Sequence, residues 1–232
     1  MLEVSQIEKS YRKKKVLKGA DLSVSGGECV GIIGSNGCGK STLLSILAGA
    51  AVPDGGVISF RGQDLCRNPA LFRRYIGYVP QNNPVIEELT VYDNLRLWYA
   101  AGKRNLETDL KEGIPARFSL DKVCRVRVEK LSGGMKKRLS IACAMAVDTE
   151  VLVLDEPGAA LDFPTKQDIG EYLQEFCRDG GAVILASHEE AELAFCTRIL
   201  ALVEGKLVPV ESNMSRKDWV AAYYNDNKDM TV

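Results

Sequence analysis

Histidine is nearly absent from this 232-residue chain, occurring once, at His188. No apolar run approaches the ~20 residues needed to span a bilayer. The opening residues, Met1-Leu2-Glu3-Val4, lack the basic and apolar regions of a signal peptide. Neither a CxxC pair nor a zinc-type spacing occurs among the seven scattered cysteines, an odd number. They read as reduced thiols, several of them core residues, rather than a disulfide framework. Excess charge is also missing: 30 basic against 31 acidic residues leave a net charge of −1, which gives no argument for nucleic acid or an anionic membrane as partner. Repeats, low-complexity tracts and long linkers are absent. These absences lead to the expectation of a cytosolic protein, with any membrane role requiring a partner. What is present is ordinary for a globular protein: 46% apolar and 26% charged residues, and a length suited to one large domain or a domain with a subdomain.

The first third of the chain reads as strands and turns. Val16 to Val24 and Cys29 to Ile33 flank a Gly26-Gly27 turn, and Thr42 to Ala48 reads as a helix. The turn Pro53-Asp54-Gly55-Gly56 precedes a strand over Val57 to Phe60, and Tyr75 to Val79 reads as another. From Thr90, a capping start, the pattern turns helical, and residues 82 to about 146 can form a separate lobe. Val151 to Leu154 and Ala182 to Leu185 are continuous apolar runs, as expected of parallel strands covered on both faces, with Phe163 to Arg178 as the crossover helix between them. Ile199 to Val210 reads as a hairpin turning at Glu204-Gly205-Lys206, and Ser212 to Val232 as a short helix carrying Trp219, then a frayed end. The fold class is therefore α/β.

Residues 34 to 42, Gly-Ser-Asn-Gly-Cys-Gly-Lys-Ser-Thr, match the P-loop pattern between an apolar strand and a helix. The glycines let successive N–H groups point inward at a polyphosphate, and the helix offers its positive end. Lys40 supplies a point charge for the β and γ phosphates, and the Ser41 hydroxyl can ligate Mg²⁺. Val151-Leu152-Val153-Leu154-Asp155 is an apolar strand ending in a carboxylate that can stand beside Mg²⁺, and Glu156 can polarise an attacking water. Leu131-Ser132-Gly133-Gly134-Met135 opens a helix, with Ser132 as N-cap and the glycines allowing close approach of an anion. Ser132 lies 92 residues after Lys40 and ahead of the Asp155 strand.

That order of motifs resembles the ATP-binding subunits of ABC transporters, over nearly all of residues 1 to 210. The resemblance implies a P-loop core with a parallel sheet, an N-terminal antiparallel β subdomain and a helical signature subdomain at about 82–146, followed by a tail over 211–232. It also implies ATP hydrolysis. Gln81 matches the family's Q-loop glutamine and His188 its switch histidine. Tyr11 stands where the family stacks an aromatic on adenine, and otherwise reads as a strand tyrosine. The nucleotide-binding set is then Tyr11, Gly34, Ser35, Asn36, Gly37, Cys38, Gly39, Lys40, Ser41, Thr42 and Gln81, with Ser132, Gly133 and Gly134 acting on the nucleotide of a facing ATPase subunit. Ser41, Gln81 and Asp155 would surround Mg²⁺. Glu156, His188 and Lys40 form the catalytic set. Cys38, beside Lys40 at a helix N-terminus, reads either as a reactive thiol facing nucleotide or as a small residue with a shielded thiol. The basic run Arg12 to Lys15 reads as a solvated turn.

By the same resemblance, two ATPase subunits, identical or not, pair head to tail, and the segment Gln81 to Leu89 transmits motion to a separate membrane permease at the cytoplasmic face. Residues 88 to 95 resemble those of exporters. Two departures stand out: Met135 replaces the usual Gln of Leu-Ser-Gly-Gly-Gln, and Pro157-Gly158-Ala159-Ala160-Leu161-Asp162 replaces the more usual Pro-Thr-Ser-Gly-Leu-Asp. Neither removes a group that does chemistry. A soluble ABC ATPase of translation or DNA repair is the alternative. It is disfavoured by the single signature and the short spacing from Lys40 to Ser132; a non-hydrolysing regulator is disfavoured by Glu156 and His188.

Overall fold

The computed structural model describes residues 1–102, 104–211, 216–219 and 222–223. Its strands are β1 (Leu2–Tyr11), β2 (Lys14–Val24), β3 (Cys29–Ile33), β4 (Gly55–Phe60), β5 (Gln63–Asp64), β6 (Ile76–Val79), β7 (Val151–Asp155), β8 (Ala182–Ala186), β9 (Arg198–Val203) and β10 (Lys206–Pro209). The helices are α1 (Lys40–Leu47), α2 (Ala70–Tyr75), α3 (Val91–Tyr99), α4 (Leu106–Glu112), α5 (Ile114–Arg117), α6 (Gly133–Ala144), α7 (Phe163–Arg178), α8 (Glu190–Leu193) and α9 (Arg216–Trp219). Among the described residues, no helix is long and apolar enough to cross a membrane.

Two sheets organise the chain. Six strands run in the order β10-β9-β3-β8-β7-β6, parallel except for the β9–β10 hairpin, and four antiparallel strands run β2-β1-β4-β5. Every residue of β3, β7 and β8 is buried, and successive side chains serve opposite faces. Val30, Ile32, Val153 and Ile184 pack with Leu43, Leu44 and Leu47 of α1 and with Leu2, Leu17, Ile58 and Phe60 of the antiparallel sheet. Ile33, Leu152, Leu154 and Leu185 pack on the other face with Leu139, Ile141 and Cys143 of α6 and Ile169 and Leu173 of α7. The continuous apolar runs thus mark strands covered on both sides.

Local chemistry sets the helix ends. Thr90 caps α3, its hydroxyl accepting from the Asp93 amide at 3.1 Å. Asp162 caps α7 through the Thr165 amide at 2.8 Å, with Pro164 in the first turn. The seven cysteines are free thiols, three of them buried. The strands and helices read from sequence leave out β1, β5, α2 and α8. In β1, Leu2 and Val4 alternate inward, but an irregularity after Val4, with Gln6 at φ 52°, puts Ile7 inward out of phase. The helix α2 has six residues, too few to show a period, and takes Tyr75 from the strand that begins at Ile76. Of the C-terminal helix expected from Ser212 onward, only the turn Arg216–Trp219 and residues 222–223 are described, and the expected frayed end lies outside the described residues.

Candidate functional site

The parallel strands aim their C-terminal ends at one place, the position where open α/β sheets hold ligands. The P-loop follows β3, Gln81 follows β6, Glu156 follows β7 and His188 follows β8. A cavity of about 880 Å³ lies there, lined by Val16, Ser35, Asn36, Gly37, Gly39, Lys40, Ser41, Thr42, Gln81, Glu156 and His188.

The floor is the P-loop. Gly39 begins α1 at φ 115°, and a Cβ there would lie 2.6 Å from Val16 Cγ1, so only glycine fits both the backbone and the space. The first N–H groups of α1 have no intrahelical acceptor, and its first turn carries no acidic side chain to occupy them. The positive end is therefore open to an anion. Lys40 is buried, and its ammonium donates to the carbonyls of Gly34 at 2.7 Å and Ser35 at 3.1 Å. Two neutral carbonyls solvate this charge without neutralising it, which suits a polyphosphate.

The acids stand behind the loop. Asp155 is buried at the end of β7; burial pushes its carboxyl up, and a hydrogen bond from Ser41 opposes that shift. A carboxylate beside a hydroxyl is a hard oxygen pair that fits Mg²⁺. Glu156 takes a left-handed backbone at φ 47°, its amide bound to Ala186 O at 2.9 Å. The Glu156 carboxylate accepts from Gln81 Nε2 at 3.0 Å, and His188 Nδ1 lies 3.5 Å away, an ion pair when the imidazole is protonated.

Several residues named from sequence are not on the cavity wall. Asp155 lies buried beside Ser41, and Gly34 is covered by Leu202 O and Cys38 Sγ. Cys38 is partly buried, packing against the core under the loop, and is not among the residues lining the cavity. Tyr11 is half exposed at the end of β1, with Lys9 Nζ 5.6 Å from its ring centre. Ser132 caps α6, accepting from the Met135 amide at 3.2 Å; with Gly133 and Gly134 it forms a helix start away from the cavity.

Two residues at the site escape sequence reasoning. Val16 lines the cavity, and nothing in an isolated valine signals that. Lys137, on α6, is 3% exposed, with its amine 3.4 Å from the carbonyls of Pro80 and Gln81. Burial pushes its pKa down, while Glu192, Asp155 and Glu156 oppose the shift. A lysine on a helix ordinarily reads as a surface residue, so only the packing of α6 under β6 exposes its place.

Strand ends, phosphate loop and convergent acids define a P-loop nucleotide-hydrolysing domain. Comparison with known proteins narrows the class. The ABC transporter family profile matches residues 17–159. The Nod factor export ATP-binding protein I of Rhizobium sp. (strain N33) is 37% identical over 213 residues, which cover 88% of this chain and 68% of that protein. The linearmycin resistance ATP-binding protein LnrL of Bacillus subtilis (strain 168) is 33% identical over 219 residues, covering 90% and 68%. Among solved structures, a dimeric ATP-binding cassette in a post-hydrolysis state, bound to ADP and Pi, superposes with a TM-score of 0.82 at 26% identity, covering 93% of this chain and 100% of that one. The chain belongs to the ABC transporter family. It is an ATP-binding subunit and an ATPase.

Proposed function

We propose that this chain powers a separate membrane permease of an export system, working at the cytoplasmic face as one half of a head-to-tail ATPase dimer. The observation that carries the catalytic part is the meeting of Gln81, Glu156 and His188, from three different strand ends, on the wall of the P-loop cavity. The ATPase unit spans residues 1–210, with residues 82–146 as its helical lobe.

In this reading the amides of residues 37 to 41 and the Lys40 ammonium hold the β and γ phosphates. Ser41 and Asp155, with Gln81, would hold Mg²⁺, which would supply charge neutralisation on the phosphates. Glu156 orients a water and takes its proton as the water oxygen bonds to the γ phosphorus and the bond to the β–γ bridging oxygen breaks. His188 contacts the γ phosphate and registers its departure. Tyr11 is the aromatic that would stack on the adenine.

The start of α6 supports the dimer: Ser132, Gly133 and Gly134 present a capped helix N-terminus that the chain's own cavity does not use. Such an end, supplied by a partner, stabilises γ-phosphate charge as an arginine finger does. The solved relative named above is itself dimeric. Export is supported by the Nod factor export relative, while the spermidine/putrescine import ATP-binding protein PotA of Mesoplasma florum (strain ATCC 33453 / NBRC 100688 / NCTC 11704 / L1) is 35% identical over 238 residues. These relatives are transport proteins, so a role in translation or DNA repair gains no support from them.

The test is Glu156→Gln. Turnover should fall roughly 10²–10⁴-fold, the scale for losing a general base. ATP should still bind, and the variant should accumulate as an ATP-dependent dimer on gel filtration. Turnover close to the parent's would remove Glu156 from this role.

A further inference from the structure

One buried carboxylate has no part in the chemistry described so far. Glu192, on α8, is 7% exposed, an environment that acidic side chains occupy only when their oxygens are paired. Those oxygens reach two different segments. The fully buried Ser187 hydroxyl donates to Oε2. The Glu189 amide donates to the same Ser187 oxygen at 3.0 Å, which leaves the hydroxyl hydrogen for Glu192. On its other side the carboxylate lies directly against Gly158, where a Cβ would overlap Oε1, so the two groups are in close contact. Lys166 of α7, paired with Glu189 at 2.5 Å, adds positive charge nearby.

The two anchored segments are the ones that carry the reacting groups. Ser187 immediately precedes His188, and Gly158 comes two residues after Glu156. The strands themselves are joined here by the Glu156 amide and Ala186 carbonyl, at the end of their pairing. We propose that Glu192 is a positioning residue: its carboxylate ties the exit of β8 to the exit of β7, and so keeps His188 beside the Glu156 carboxylate. The inference rests on the roles proposed above for Glu156 and His188. It also accounts for one departure of this chain from the family pattern. Glycine stands at 158, where threonine is more usual, and the space a side chain would fill is occupied by the Glu192 carboxylate.

The experiment measures kcat, KM, ATP affinity and thermal unfolding on purified full-length variants. Glu192→Ala should lower kcat roughly 10–10²-fold, the scale of a small misplacement of reacting groups. ATP affinity should be unchanged, because the P-loop is untouched. Glu192→Gln keeps the shape against Gly158 and an oxygen for the Ser187 hydroxyl, and should recover part of the loss. Gly158→Ala should also lower kcat by pushing the carboxylate aside, yet cost nothing further in the Glu192→Ala background, where the overlapping partner is gone. Should Glu192→Ala fail to fold, Ser187→Ala removes one bond only and should lower kcat in the same direction. A folded Glu192→Ala chain with parental kcat overturns the proposal. So do losses in Gly158→Ala and Glu192→Ala that simply multiply, or a fall in activity that follows the folded fraction alone. Normal turnover by Glu156→Gln is a separate failure, that of the assignment of the reacting groups, and is scored on that variant by itself.

Discussion

Substituting Gly39 by alanine isolates the physical demand that the P-loop places on its backbone. At φ 115° an alanine meets the penalty of positive φ, about 1–2 kcal/mol for a non-glycine residue in the left-handed region. Its Cβ would also stand 2.6 Å from Val16 Cγ1, while Leu17 and Leu202 lie at an ordinary 3.6 Å. Relieving that single overlap costs a further ~1–3 kcal/mol, as overpacking usually does. The expected destabilisation is therefore about 2–5 kcal/mol, read from urea unfolding as a lowered midpoint at constant slope. The two contributions can be separated. Val16→Ala removes the overlapping methyl but leaves φ unchanged, so in that background Gly39→Ala should cost only ~1–2 kcal/mol. ATP affinity should drop in the single variant, because the amides beside residue 39 turn with it. An unfolding free energy within about 0.5 kcal/mol of the parent's, the scatter of neutral surface changes, would refute the claim that backbone and packing jointly require glycine here. Equal costs in both backgrounds would refute the overlap with Val16.

Two other outcomes follow. Ser132→Arg and Lys40→Ala should each abolish turnover alone, whereas a mixture should regain part of it, since half of the sites in mixed dimers escape both lesions; mixtures inactive at every ratio, despite pairing, would count against sharing of the site between subunits. Asp162 accepts from the Thr165 amide, which holds its carboxyl below the usual carboxylate range. A depressed folded pKa contributes stability above the unfolded value, about 3.9, and loses it as pH falls through the folded value. Asp162→Asn should therefore unfold at lower urea than the parent at pH 7, with the gap closing as pH falls below the carboxylate range; a gap independent of pH would show that the charge is not what caps α7.

The part of the fold that was legible in the sequence was the part set by contiguous residues. The apolar runs of β7 and β8, the Thr90 and Ser132 caps, the P-loop and the hairpin at Glu204-Gly205 each depend on spacing within a few positions, and periodicity or turn chemistry reveals them. Short or irregular elements were not legible. Six residues of α2 span less than two turns, and the bulge in β1 breaks the alternation on which strand reading depends.

At the site, local pattern alone pointed to the phosphate loop and to the acidic end of β7, whereas Gln81 and His188 were singled out only through the family resemblance. Which atoms meet was decided only by tertiary structure. Strand order β3-β8-β7-β6 brings Lys40, Gln81, Glu156 and His188 to one sheet edge although they span 148 positions between first and last (188 − 40). Packing of the loop onto the core left Cys38 off the cavity lining, drew Lys137 beneath Gln81 and set Glu192 between Gly158 and Ser187. The physical reason is that side-chain chemistry is a property of one residue, whereas burial and partnership belong to contacts between segments distant in the chain, which exist only once the sheet has formed.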